Sequence, residues 1–120
     1  MNQETDRELL ELAAKAVQLP ECGWMGPAFM YVKDNTFTDW NPLADDGDAL
    51  RLAVKLLIDA DQGEIGTTNG TPAAIAHYRR TLPSGQILWN SRSQAYESDP
   101  YAATRRAIVL AAAEIGKAMP

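Results

Sequence analysis

Hydrophobic positions recur with a helical period in three parts of the chain. Between Thr5 and Gln18, the residues Leu9, Leu12, Ala13 and Ala16 fall on one face. Thr5 is placed to cap this segment, its hydroxyl accepting from the amide of Glu8. The Glu8 carboxylate can reach back to the amide of Thr5, and Pro20 closes the pattern. Between Asp45 and Leu57, a stripe of Leu50, Ala53, Val54 and Leu57 is widened by Ala49, Leu52 and Leu56. Only Asp48, Arg51 and Lys55 remain as a polar strip. An apolar arc this wide predicts a helix touching both a sheet and another helix, since a surface helix buries a narrower arc. The third segment runs from Pro100 to about Lys117, with Asp99 as its cap and proline in the first turn, where a missing N–H costs nothing. Tyr101, Thr104, Ile108, Ala111, Ala112 and Ile115 line one face. Ala102, Ala103, Ala107, Ala111, Ala112 and Ala113 leave little side chain between this helix and a neighbour and predict close packing.

Elsewhere the runs are of strand length. "FMYV" (29–32) and "TFTDW" (36–40) predict two short strands joined by a turn at Lys33, Asp34 and Asn35. Residues 20–31, with two glycines and two prolines, read as an irregular linker. "LLIDADQ" (56–62) leads from the second helix into a strand, and "TTNGTP" (67–72) reads as a turn. "AAIAHYRR" (73–80) and "GQILWNS" (85–91), joined through "LPSG", predict an antiparallel meander with Trp89 in the core. The expected fold is α+β: a small, mainly antiparallel sheet packed by three helices in a layered sandwich. The second and third helices lie side by side in it. An all-helical bundle is the alternative if the alanine-rich middle is helical.

With 120 residues the chain suits a single domain spanning 1–120, able to bury one core without metal or disulfide. A formal net charge of −5 argues against non-specific binding to nucleic acid or an anionic membrane. One cysteine, Cys22, allows no internal disulfide, and no leader or membrane-spanning run is legible, so a cytoplasmic location is expected.

Two stretches, "WNPLADDGDALRLAVKL" (40–56) and "DPYAATRRAIVLAAAEIGKAM" (99–119), resemble those of small phage and prophage proteins known as the phage ABA-sandwich domain family. The resemblance covers about a third of the chain. It implies helices and sheet in layers and a phage or prophage origin within a bacterium. It carries over no activity and no site residue.

Candidate chemistry is sparse. Asp45, Asp46 and Asp48 lack the ligand spacing of a calcium loop, and carboxylates at a helix start accept from its free amides. His77, the only histidine, pairs with Cys22 as nucleophile and base only if the fold joins them. One histidine and one cysteine do not assemble a zinc site without carboxylates. No catalytic residue, metal or cofactor is therefore assigned. Arg79 with Arg80, and Arg105 with Arg106, are candidate anion-binding pairs, weighed against a solvated face with local ion pairs. Trp24, Met25 and Phe29 sit in the glycine- and proline-rich stretch. They are candidate partner-binding anchors, weighed against a lid that folds onto the core. The leading functional expectation is a non-enzymatic protein-interaction module binding a protein partner. The alternative is a small-anion or nucleotide-binding module built on the arginine pairs.

Overall fold

The computed structural model describes residues 4–66 and 70–120. Its elements, in chain order, are α1 (Asp6–Val17), β1 (Gly23–Met25), β2 (Ala28–Lys33), β3 (Thr36–Asp39), α2 (Asp46–Leu56), β4 (Asp59–Ile65), β5 (Thr71–Thr81), β6 (Ile87–Ala95) and α3 (Pro100–Ala118). The fold is α+β, and the all-helical alternative does not occur. Two separate antiparallel sheets, β1-β2-β3 and β4-β5-β6, replace the single sheet expected.

Local chemistry explains most boundaries. Thr5 and Glu8 form the capping box on α1, with bonds of 3.0 and 3.2 Å. Asp99 caps α3 by accepting from the amides of Tyr101 and Ala102 at 3.0 and 3.2 Å. The β2–β3 hairpin turns through Asp34 and Asn35, both with positive φ (51° and 62°). That is the two-residue turn whose twist matches its strands, and Asp and Asn tolerate it better than most side chains. The stretch expected to be an irregular linker holds β1 and the start of β2. Gly26, at φ 63°, and Pro27 form a two-residue turn between Met25 and Ala28. Of the turn expected over 67–72, Thr67–Asn69 lie outside the described residues, and Thr71 and Pro72 already belong to β5.

The core is organised around α3, on which Ala103, Ala107, Ile108, Val109, Leu110, Ala111, Ala112, Ala113 and Gly116 are all buried. Residues 107–113, seven in a row, are all buried, so nearly two turns of this helix face inward on every side. It packs against β5, where Ala74, Ala76 and Tyr78 are buried, against β6, and against α1 and α2 elsewhere. The alanines permit close approach. At Gly116 a Cβ would lie only 2.1 Å from the Leu12 carbonyl oxygen of α1. Arg92 of β6 reaches Glu114 of α3 at 2.7 Å, and Gln62 of β4 reaches Thr104 at 3.2 Å, tying the second sheet to the helix.

Three expectations are corrected by this arrangement. On α2 the buried residues are Ala49, Leu52 and Ala53, while Leu50 and Val54 are 64% and 66% exposed. α3 meets α2 on its small-residue side, so most of the stripe expected to be core faces solvent. Trp89, expected in the core, is 56% exposed, because α3 covers only the sheet face that carries Ala74, Ala76 and Tyr78. Tyr101, assigned to the apolar face of α3, projects from its first turn and is also exposed.

Candidate functional site

The aspartates at the start of α2 are occupied in building it. Asp45 accepts from the amide of Asp48 at 2.8 Å. Asp48 accepts from the amide of Asn41 at 2.9 Å and pairs with Arg51 at 2.7 Å. Asp46 takes the guanidinium of Arg105 at 2.6 Å. Among the described residues, no group of three or more His, Cys, Asp or Glu side chains comes together to hold a metal. His77 meets Asp61 across the β4–β5 pair at 3.1 Å. No hydrogen bond joins it to Cys22, which is exposed just ahead of β1 in the other sheet.

The four arginines do not converge. Arg105 is committed to Asp46 and to the Leu43 carbonyl at 2.9 Å, locking α3 onto the loop that enters α2. Arg106 is paired with Asp6 of α1 at 2.8 Å. Both act as ties between helices. Arg79 and Arg80 are exposed at the end of β5, where alternation sends them to opposite faces of the sheet.

Trp24, Met25 and Phe29 also separate. Phe29 is buried at 6% exposure, in an edge-on contact with Trp24 at 4.9 Å and beside Trp40 at 5.8 Å. As an exposed anchor it is corrected: β2 turns this ring inward, into the core. Trp24 is half-buried. Its indole N–H donates to Glu11 at 2.8 Å, and the Arg7 guanidinium stacks over the ring at 3.8 Å. Both partners lie on α1, so Trp24 fastens the first sheet to that helix in the manner of a lid. Only Met25 is exposed, at the hairpin tip.

The surface that stands out lies elsewhere. α2 and β4 diverge from their junction at Leu57 and Ile58, with α3 between them as the floor. Two clefts of about 530 and 660 Å³ open there and share Leu50, Ala60 and Ile108. Among the described residues nine large hydrophobic side chains are exposed, and five of them line these clefts: Leu50, Val54, Leu57, Trp89 and Tyr101. Apolar side chains scattered singly over a surface need no explanation, whereas a contiguous group does. The sequence carried a signal for this surface in the over-wide apolar arc of α2. Such an arc means either burial from two sides or a free apolar face, and periodicity alone does not separate them.

No protein-family model, curated protein or solved structure matches the chain. Among the described residues no helix is long and apolar enough to cross a membrane.

Proposed function

We propose that this chain is a small protein-interaction module of phage or prophage origin, working inside the bacterial host cell and binding a protein partner in the cleft between α2 and β4. The observation that carries the reading is the uncovered apolar strip Leu50, Val54 and Leu57 beside clefts floored by α3. Grouped apolar side chains with polar neighbours suit a partner surface. The resemblance of residues 40–56 and 99–119 to phage ABA-sandwich proteins supports the setting. On this reading the binding surface lies away from Trp24, whose ring is engaged with α1.

The test is selection from a random peptide library displayed on phage. Wild-type protein is the bait, and the double variant Leu50→Glu, Val54→Glu is the counter-bait. Because both side chains are already exposed, the variant keeps its denaturation midpoint. Peptides enriched on wild type and lost on the variant support the reading. Enriched peptides that bind both baits equally place the interaction elsewhere and overturn it.

A further inference from the structure

We infer that the occupant of this cleft is an extended segment that adds as a fourth strand to the free edge of β4, with apolar residues alternating with lysine or arginine. This inference rests on the interaction reading above and specifies its partner. β4 is an edge strand of its sheet. Among the described residues, no backbone hydrogen bond from outside the sheet and no side-chain bond reaches its main chain. An open edge of this kind is a ready template for an incoming strand, and main-chain pairing supplies the affinity in strand addition.

The two faces of the added strand meet different surroundings. Side chains alternate along β4, and Ala60 and Gln62 line the cleft. Every second residue of a strand beside them therefore enters the space between β4 and α2. There it meets Leu50, Val54 and Ile108, which accept an apolar side chain. The intervening residues fall on the opposite face, beside Asp61 and beside Asp59, which also borders the second cleft with Arg79. Asp59 has no cationic partner among the described residues, and Asp61 has only His77. A second copy of the chain is disfavoured as the occupant, because two β4 strands side by side would gather Asp59, Asp61 and Glu64 of both copies along one seam with no cation between them. Basic residues at alternate positions relieve that repulsion.

The test uses a synthetic peptide of alternating lysine and valine, blocked at both ends. Controls are a block-sequence peptide of the same composition and a version N-methylated at alternate residues. Binding is followed by amide NMR titration and hydrogen exchange of the full chain. The expected result is saturable binding with slowed exchange at amides within residues 60–65. N-methylation along one edge should abolish it, and Asp59→Lys with Asp61→Lys should weaken it at least tenfold. Absence of binding, equal binding of the block peptide, or insensitivity to N-methylation overturns the inference. So does exchange protection on β4 that rises with protein concentration alone, since that marks a second copy. The library selection separates the two claims. Peptides that need Leu50 and Val54 but show no alternating apolar and basic pattern sink strand addition and leave the interaction reading standing.

Discussion

At the scale of single residues, the tightest constraint is at Gly116. An added Cβ would sit 2.1 Å from the Leu12 carbonyl oxygen, a rigid backbone atom that does not rotate away. Gly116→Ala should therefore push α1 off α3. The expected loss is at the upper end of the about 1–3 kcal/mol typical of overpacking, despite the better helix propensity of alanine. An unchanged urea midpoint would show that the two helices separate freely at this point. Trp24 gives a second case. Trp24→Ala removes the bond to Glu11, the stacking of Arg7 and the edge contact with Phe29. For a half-buried ring the loss should fall toward the lower end of the about 3–5 kcal/mol seen when buried aromatics are truncated. Peptide capture through the α2 cleft should persist in whatever fraction remains folded. Loss of capture at full stability would restore Trp24 as an interface anchor.

At the scale of elements, helix ends were legible in the sequence because capping is a local event. Thr5, Asp45 and Asp99 each sit within three residues of the amides they satisfy, so residue type and spacing are sufficient. Asp99→Ala should accordingly cost about 0.5–2 kcal/mol, read as a lower thermal midpoint with the helix content at low temperature unchanged. A midpoint equal to wild type would mean that Pro100 alone fixes the start of α3. The orientation of α2 was not legible. Its buried face is chosen by α3, some fifty residues away, which offers alanines and so accepts Ala49 and Ala53 rather than Leu50 and Val54. For the same reason Trp89 appeared to be core. A strand of its composition suits either face, and only the placement of α3 decides which face is covered. β1, three residues long between Glu21 at positive φ and Gly26, is too short to carry any period, so it read as linker, and only its pairing with β2 reveals it as a strand. The candidate site was legible as an over-wide apolar arc, not as a site.

At the scale of the molecule, α3 joins the second sheet to α1, and two of its contacts titrate in the same direction. Burial beneath α3 raises Tyr78, chiefly by withdrawing its hydroxyl from water. Lys117 near the end of α3 is raised chiefly by its bond to Glu4, with a further bond to Glu114. Glu4 is lowered by the same Lys117 contact. A group that holds its proton more tightly when folded gives its full contribution below the unfolded value. It loses that contribution as pH rises through the folded one. Tyr78 and Lys117, with ordinary values of 10.0 and 10.5, thus make the fold sensitive to alkali above those values. Glu4 has the opposite sign: its contribution is present above 4.5 and lost as pH falls through its lowered folded value. Urea midpoints should therefore fall as pH rises beyond about 10, as linkage requires. Tyr78→Phe has a separate signature. The substitution removes the titrating hydroxyl and keeps the ring, so the variant should match wild type near neutrality and decline less in alkali. Equal slopes for the two proteins would show that Tyr78 ionises in the folded state as easily as in the unfolded chain, and that α3 does not seal that side of the sheet.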